Sequence, residues 1–324
     1  MKIFSRLQDW LLEPESPTYV GWFRIYVAVF CLWKAWVFRT SVIDLFGQYG
    51  FIQWAITRGN MPEWLPHIGN LSLLLEPCGI TPDQTVYIVL SVHVLSLFAM
   101  LVGILGRTMA IVAWCTDFLL MHASGGLLYG MDYFSHIALF YCVIMPTSRG
   151  VSLANTFGWV KCDPLISAGV TRKMLQFQMA IIYVSSGIEK AIGVEWWTGE
   201  SIWRALTLPI FSNWNVAWLA HLPWIAATVG WSVLIIECGY GIAMYFQRTR
   251  ALWLTVTVAM HLGIGLLMGM WLFALIMIVL NIGAFGPEFL SDVAKYRQRL
   301  LTWKNMKNRR GTINNRIIQR GQDS

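Results

Sequence analysis

The run "ALWLTVTVAMHLGIGLLMGMWLFALIMIVLNIGAFG", residues 251–286, contains no Asp, Glu, Lys or Arg and is long enough for two passes across a membrane. A helix needs about 20 apolar residues to cross the hydrocarbon core of a bilayer. The segment "GLLMGMW", residues 265–271, interrupts the run with glycines and predicts two helices joined by a turn. This stretch therefore places the chain among the integral membrane proteins.

The rest of the chain has the same character. Hydrophobic residues make up 56% of the 324 residues and charged residues only 13%, whereas a soluble domain carries about 25% charged residues. The sequence predicts an all-α integral membrane protein, a bundle of about eight transmembrane helices with interfacial helices. The other apolar runs lie at 19–38, 85–105, 109–121, 133–146, 174–192 and 224–246.

The distribution of basic residues predicts the orientation. If the N-terminus is cytoplasmic, the loops on the opposite side hold only Arg39, Arg58 and Arg204 of the 24 Lys and Arg residues. Cytoplasmic loops are enriched in Lys and Arg, so both the N- and C-termini are predicted to be cytoplasmic. Residues 1–287 form one polytopic membrane domain, and residues 288–324 form a basic cytoplasmic tail.

Composition also limits the partners. Membrane lipids are the expected partner, because a basic tail next to a span is attracted to anionic lipid headgroups, and no nucleic acid is predicted. The first twelve residues have the spacing of an amphipathic surface helix. The loops 39–83 and 193–223 are predicted to form an outer cap over the bundle. The chain has no CxxC, HExxH, P-loop or dinucleotide motif, so no metal site is predicted.

Ionisable residues inside the spans are costly, so each needs a partner or a function. They concentrate in the outer half of the bundle. Asp132 and His136 lie one helical turn apart on the fourth span. Glu189 and Lys190 end the fifth, but adjacent helical residues point about 100° apart, so Glu189 does not neutralise Lys190. The others in this half are Lys34, His93, Asp117 and His122, whereas Glu237 and His261 lie nearer the midplane of the sixth and seventh spans.

Several interpretations of these residues stay open. The spacing of Gln176, Tyr183, Gly187 and Lys190 puts them on one face of the fifth helix, toward the bundle interior. A lysine in apolar surroundings without an obligatory partner can serve as a base. Several of these residues also suit a structural role. Lys34 could be a snorkelling anchor, and His93 could form a hydrogen bond between helices. Asp117 and Glu237 could pair with Arg24 or Lys34, and Arg24 could be structural or bind lipid headgroups.

Three stretches resemble the HTTM (horizontally transferred transmembrane) family, which is related to the membrane domain of vitamin K-dependent gamma-carboxylase. The first is "YVSSGIEKAIGVEWWTGES", residues 183–201, whose matching positions are Tyr183, Gly187, Lys190, Trp197 and Gly199. The second is "AMHLGIGLLMGMWLFALIMIVLN", residues 259–281, which contains His261. The third and weakest is "YGMDYFSHIALFYCVIMP", residues 129–146.

The resemblance implies a site and a chemistry. Lys190 corresponds to the lysine that deprotonates vitamin K hydroquinone. His261 is a candidate hydrogen-bond partner at the same site. The implied cofactor is a reduced quinone. Asp132 and His136 complete the catalytic set by positioning substrate or shuttling protons. Substrate binding is assigned to Tyr183, Gly187, Trp197, Asp117 and His122. The chain has no counterpart of the large lumenal region that binds a propeptide, so carboxylation of protein glutamates is not expected.

Different function classes follow from these observations. The first is an enzyme of the bacterial cytoplasmic membrane, with an active face toward the periplasm, that acts on a quinone, a lipid or a membrane-associated peptide. The alternative is a non-catalytic component of a secreted-peptide maturation or immunity complex, whose partner is a secreted peptide or another subunit. A transporter would accumulate substrate in proteoliposomes, and the sequence has no internal repeat that favours one.

Overall fold

The computed structural model describes residues 2–62, 64–211 and 214–322, of which residues 2, 3, 299–301 and 303–322 are described without side chains. That part of the chain is helical, with no strand and one isolated bridge between Glu15 and Leu165. The α-helices are α1 Lys2–Leu11, α2 Thr18–Phe38, α3 Val42–Phe46, α4 Trp54–Gly59, α5 Ile68–Leu75, α6 Pro82–Val102, α7 Gly106–Ala123, α8 Gly130–Ile144, α9 Leu153–Thr156, α10 Ile166–Ile192, α11 Val194–Thr198, α12 Glu200–Thr207, α13 Pro223–Ala243, α14 Gln247–Met268 and α15 Trp271–Gln322.

Five helices of the described chain are long and apolar enough to cross a membrane, namely α2, α6, α13, α14 and the Trp271–Gln298 part of α15. The remaining predicted spans coincide with α7, α8 and α10. With 15 residues, α8 rises about 22 Å, less than the roughly 30 Å hydrocarbon core. Charged residues lie near both ends of α10. The chain is therefore an all-α, multi-pass membrane protein.

The apolar run of residues 251–286 is divided into two helices, as predicted. After α14 ends at Met268, Gly269 takes a φ of +71°, and α15 begins at Trp271. A positive φ is readily adopted by glycine, so this residue lets the chain reverse within two positions. The two longest apolar helices consequently pack against each other as an antiparallel pair.

The bundle has two halves that share one apolar core. In the first half, α2, α6, α7 and α8 pack on one another. In the second half, α10 packs on α13 and α15, and α14 contacts α13 and α15. The halves meet where α15 contacts α2 and α8. Each polar cluster described below lies within one half, so this division determines which predicted residues can meet.

Short helices cover one end of the bundle, here called the cap end. The loop between α2 and α6 contains α3, α4 and α5, and the loop between α10 and α13 contains α11, α12 and a 3₁₀ turn at Ala217–His221. In the first of these loops, prolines and glycines separate the short helices. Trp214 links the second loop to α14, because its indole Nε1 donates to the carbonyl of Leu266 at 2.8 Å.

A salt-bridge network ties the N-terminal segment to the opposite end of the bundle. Arg172 on α10 donates to both carboxylate oxygens of Glu15 at 2.6 and 2.7 Å, and to Glu288 on α15 at 2.7 Å. Burial raises the pKa of Glu15, but the hydrogen bond and charge of Arg172 outweigh burial and leave that pKa below its ordinary value of 4.5. The bridge therefore persists at neutral pH and anchors the segment between α1 and α2.

The two chain ends are helical. The predicted N-terminal helix is confirmed as α1, on which Phe4 and Leu7 are exposed. The predicted tail from residue 288 begins inside a helix, since α15 continues through Pro287 to Gln322. The last two residues of that tail, 323 and 324, lie outside the described residues.

Candidate functional site

The polar residues predicted to form one site lie in two separate clusters near the cap end. The Lys190 cluster, in the second half, contains Lys190, Ser186 and Glu237 and adjoins a hydrogen-bond network around Tyr183. The Lys34 cluster, in the first half, contains Lys34, Asp117, Asp132, Ser135 and His136. Both clusters are built around a lysine ammonium, and each is described below from its residues upward.

Lys190 is part of an ion pair on the interior face of α10. Its Nζ donates to Oε2 of Glu237 on α13 at 2.8 Å and also to the hydroxyl of Ser186, one turn earlier on α10. The side chain of Lys190 remains 23% exposed, whereas that of Glu237 is 9% exposed. Glu189 is exposed and takes no part, which confirms that it points away from Lys190.

Close packing of α10 on α13 brings this pair together. A Cβ atom at Gly187 would lie 2.7 Å from the backbone nitrogen of Cys238 and 3.0 Å from Cβ of Glu237. Only glycine therefore allows the two backbones to approach so closely. The predicted inward face of α10 is confirmed, because Gln176, Tyr183 and Gly187 are buried.

An aromatic side chain shields the pair on another side. The Lys190 Nζ lies 5.4 Å from the ring centroid of Trp196 on α11, within the range of a cation–π interaction. Trp197, predicted to bind substrate, instead stays half exposed and donates from Nε1 to the carbonyl of Ala191 at 2.8 Å. The two neighbouring tryptophans therefore have different partners, and the one next to the ammonium is Trp196.

Two turns before Lys190, Tyr183 belongs to a buried network that joins four helices. Its hydroxyl lies 2.6 Å from Nε2 of His261 on α14 and 2.7 Å from Nδ2 of Asn281 on α15. The hydroxyl of Tyr240 on α13 donates to Oδ1 of Asn281 at 2.7 Å, and the two tyrosine rings stack with centroids 4.2 Å apart. His261 therefore bonds Tyr183, whereas Lys190 bonds Glu237 and Ser186.

In the first half, Lys34 on α2 lies between two carboxylates. Its Nζ is 3.0 Å from Oδ1 of Asp132 on α8 and 3.6 Å from Oδ1 of Asp117 on α7, and it donates to the hydroxyl of Ser135 at 3.1 Å. Nδ1 of His136 is 2.9 Å from Oδ2 of Asp117. The side chain of Lys34 is only 12% exposed, so its prediction as a snorkelling anchor is wrong.

A cavity of about 40 Å³ adjoins the Lys34 cluster, between α2, α6 and α7 and beneath α3. This volume accommodates a few water molecules and is far below the 300–1,000 Å³ of typical ligand pockets. The neighbouring His93 is buried and uses Nδ1 to bond Thr116 on α7 at 2.9 Å, the interhelical role considered from the sequence. The cavity beside the Lys34 cluster is therefore large enough for water but too small for a typical ligand.

The structure assigns the remaining predicted residues as follows. Asp117 contacts His136, and Lys34 bridges Asp117 to Asp132, but none of these residues contacts Lys190 or His261. His122 lies in neither cluster, and its Nδ1 is 2.8 Å from the carbonyl of Phe118 on its own helix. Within the described part of the chain, no three His, Cys, Asp or Glu side chains lie close enough to hold a metal ion.

Residues that the sequence analysis left out of the site include Ser186, Glu237, Tyr240 and Asn281. Glu237 had a signal, because a carboxylate in an apolar span without a basic residue on its own helix needs a partner on another helix. Asn281 had a similar signal, because its side-chain amide is a polar group within the apolar run 251–286 and needs a hydrogen-bond partner. Neither signal names the partner, which depends on how the helices pack.

Arg24, left open between structure and lipid binding, is fully buried on α2 at the end opposite the cap. Its Nη2 donates to the carbonyl of Val151 at 2.6 Å, while Nε and Nη1 have no partner among the described residues. A Cβ atom at Gly103 would lie 2.3 Å from its Nη1. The guanidinium is therefore enclosed between α2, the start of α7 and the segment after α8, which corresponds to the structural interpretation.

A buried histidine links two short helices of the cap, α4 and α5, and is expected to make the cap sensitive to acid. Nδ1 of His67 accepts from the backbone N–H of Gly69 at 2.9 Å, and Nε2 lies 3.0 Å from the hydroxyl of Thr57. Burial, reinforced by the charge of Arg58, lowers the pKa of His67 from 6.5 to about 4. The folded cap therefore requires a neutral imidazole, because a proton on Nδ1 would oppose the N–H of Gly69.

The sign of the pH effect follows from linkage. Since the pKa of His67 is lower in the folded protein than in the unfolded chain, its contribution to stability is complete above pH 6.5 and is lost as pH falls toward 4. We expect the melting temperature of the wild type to decline over this range. His67→Asn, whose amide can accept from Gly69 without titrating, should show a smaller decline. An equal decline in both proteins would contradict the assignment to His67.

Comparison of the chain with family profiles, with curated proteins and with solved structures gave no match.

Proposed function

We propose that the chain crosses the membrane eight times, with both termini in the cytoplasm and the cap end facing the exterior. Support comes from the scarcity of Lys and Arg in the two cap loops and from the coincidence of every predicted span with a helix. On this topology the protein belongs to the bacterial cytoplasmic membrane. The Lys190 cluster then faces the periplasmic half of the bilayer.

We further propose that the protein is an HTTM-type membrane enzyme that removes a proton from a reduced quinone or a similar membrane-borne substrate. This function is supported by the partial exposure of Lys190, whose side chain is 23% exposed beside the ring of Trp196. Lys190 has a partner, contrary to the expectation from the sequence, so Glu237, whose Oε2 lies 2.8 Å from Nζ, must first accept the lysine proton. A base needs both an acceptor for its own proton and access to substrate. In the Lys190 cluster, Glu237 is the acceptor, and the partly exposed side chain of Lys190 provides the access.

The ion pair defines the resting state of this base. At rest, the ammonium of Lys190 donates to the carboxylate of Glu237. Burying an ion pair carries a large desolvation cost, however, and transfer of one proton from Nζ to Oε2 yields two neutral groups. Lys190 is then an amine that can take a proton from a substrate oxygen, while Glu237 holds the proton it received.

The residues around Lys190 have the chemical character that a hydroquinone site requires. A quinone ring requires apolar or aromatic surface beside a small number of polar groups, and Trp196 supplies such a surface next to the ammonium. A hydroquinone supplies an acidic O–H to the site. The 40 Å³ cavity of the Lys34 cluster does not fit such a ring, so we leave Asp117, Asp132 and His136 outside the proposed proton-abstraction step.

The test compares Lys190→Ala and Lys190→Arg with wild type, in lipid nanodiscs supplied with a reduced naphthoquinone and with dissolved dioxygen, the oxidant that takes up the two electrons of the deprotonated quinol. Arginine can keep the pair with Glu237 but cannot be deprotonated, so this variant separates the fold from the chemistry. We expect both variants to consume the quinol at least about 10²-fold more slowly, the usual contribution of a general base. Glu189→Gln, which changes an exposed carboxylate beside Lys190, should retain wild-type turnover.

The outcomes separate the two function classes. Wild-type rates in both Lys190 variants would show that Lys190 is not the base. Absence of quinol consumption by the wild type, combined with specific binding of a secreted peptide or a partner subunit, would favour the non-catalytic alternative. The melting temperature of Lys190→Arg serves as the check that the ion pair has been preserved.

A further inference from the structure

Asn281 organises the buried network between α10, α13, α14 and α15. Its Nδ2 donates to the backbone carbonyl of Met277 at 2.8 Å and to the hydroxyl oxygen of Tyr183 at 2.7 Å. Its Oδ1 accepts from the hydroxyl of Tyr240 at 2.7 Å. A backbone carbonyl can only accept, so the contact with Met277 fixes which end of the amide carries the nitrogen.

This orientation fixes the direction of the next hydrogen bond. Because the Tyr183 oxygen accepts from Asn281, its own proton needs an acceptor, and Nε2 of His261 lies 2.6 Å away. A proton on Nε2 would leave the Tyr183 hydroxyl with two incoming donors and no acceptor. Nε2 therefore accepts, and a neutral His261 must carry its proton on Nδ1.

His261 is suited to the neutral state. It is 3% exposed, and no carboxylate contacts it among the residues that the structure describes. A buried imidazolium without a counter-charge would be costly. The tautomer with a proton on Nδ1 is consequently the resting form that the network selects.

The Nδ1–H of this tautomer is left without a partner. Nδ1 of His261 has no hydrogen-bond partner within the described residues, and the hydroxyl of Thr257, one turn earlier on α14, is in the same situation. Thr257 is fully buried, and residues four apart lie on the same helix face. Buried polar groups of native proteins are nearly always satisfied, so two unsatisfied groups on one face indicate an external acceptor.

We propose that Asn281 is a positioning residue that holds His261 in the Nδ1–H tautomer, so that Nδ1 donates to a carbonyl or phenolic oxygen of the substrate. This proposal rests on the proposed function, because it places Nδ1 of His261 in the same substrate site as the base Lys190. Tyr183 and Lys190 lie on one face of α10, two turns apart, and this arrangement joins the donor network to the base.

Nitrogen NMR of the resting protein tests the tautomer directly. Protein labelled with ¹⁵N-histidine is placed in lipid nanodiscs, and the signal of His261 is assigned from its loss in His261→Gln. The chemical shift of each imidazole nitrogen reports whether that nitrogen is protonated. We expect a protonated Nδ1 and an unprotonated Nε2. An Nε2–H tautomer or an imidazolium would overturn the proposal without any reference to turnover.

Two variants at opposite ends of the network separate positioning from folding. In Asn281→Asp, the carboxylate that faces Met277 and Tyr183 accepts from the Tyr183 hydroxyl, so Tyr183 becomes an acceptor and His261 should shift to Nε2–H. In Tyr240→Phe, Met277 still orients the amide, and Nδ1–H should persist. If folded Asn281→Asp keeps the wild-type tautomer, Asn281 is not the positioning residue.

A binding experiment tests the substrate half of the proposal. Reduced 2-methyl-1,4-naphthoquinone is titrated into labelled wild type and Lys190→Ala. The Nδ1 signal of His261 should shift in both proteins, because donation from Nδ1 does not require the base. No shift in either would refute donation to this class of oxygen. A shift in both, with Lys190→Ala as active as wild type, would refute only the proposed base and leave the donor assignment intact.

Turnover gives an independent readout. Asn281→Asp is expected to reduce the rate of quinol consumption about 10²-fold, the typical effect of losing one preorganised donor, whereas Tyr240→Phe, in which Met277 still orients the amide, should lose much less activity. An equal loss in the two variants, at equal melting temperatures, would indicate a general packing role for the network and contradict the positioning role of Asn281.

Discussion

Lys34→Met is expected to lower the free energy of unfolding by about 3–5 kcal/mol, the usual cost of removing one partner from a buried ion pair. The lysine is the shared counter-ion of Asp117 and Asp132, whose side chains are 5% and 11% exposed. Without the ammonium, the two carboxylates repel each other in a medium of low dielectric constant. SDS titration of the purified protein in mixed micelles measures the change.

The matched control removes the charges together. Lys34→Met combined with Asp117→Asn and Asp132→Asn leaves no unpaired carboxylate, so it should recover most of the loss, because replacing an entire buried ionic cluster is far less costly than breaking it. A loss below about 1 kcal/mol for Lys34→Met alone would show that the pair behaves as a surface salt bridge. That result would contradict the buried position of Lys34.

Gly187→Ala is expected to cost about 3 kcal/mol or more, toward the upper end of overpacking effects. The added methyl group would lie 2.7 Å from the backbone nitrogen of Cys238 and 2.8 Å from its sulfur, and a backbone atom cannot rotate away as a flexible side chain can. The helices α10 and α13 must separate, which also lengthens the contact between Lys190 and Glu237. Both stability and quinol consumption should therefore fall.

Gly263→Ala is the control for this substitution. Gly263 lies on α14, and a Cβ atom there would have no neighbour within 4 Å. The variant should stay within about 1 kcal/mol of wild type, since alanine is the better helix former and no packing opposes it. Equal losses at the two glycines would indicate a general intolerance of α-helix substitutions and would contradict the close approach at Gly187.

Local signals predicted the helices well. Apolar runs located each long helix, and glycines located the turn at Gly269. The ends were less certain, since the predicted span 85–105 stops at Val102, where Gly103 takes a φ of +80°. The number of crossings was harder still, because α8 and α10 depart from the length and apolar composition that define a span. Such departures reflect partners on neighbouring helices, which a single run does not contain.

The site was predictable only in part, for the same reason. The motif around Lys190 identified the correct face of α10, and the small residues beside Lys190 indicated close helix packing. The sequence could not show that Asp132 pairs with Lys34, because this depends on whether α8 packs beside α2 or α10. Both clusters lie near the cap end of the bundle, but position along the bundle axis does not distinguish neighbours from residues on opposite sides of a bundle.

The division of the bundle has a consequence for biosynthesis. Lys34, Asp117 and Asp132 all precede residue 145, so their ion pair can form during translation, before the second half of the chain has left the ribosome. Lys190 has to wait for Glu237, which is synthesised 47 residues later. Synthesis of α10 therefore precedes the neutralisation of its lysine. The Lys34 cluster can be complete in the nascent chain while the Lys190 cluster still lacks its carboxylate, which is supplied only when α13 has been synthesised.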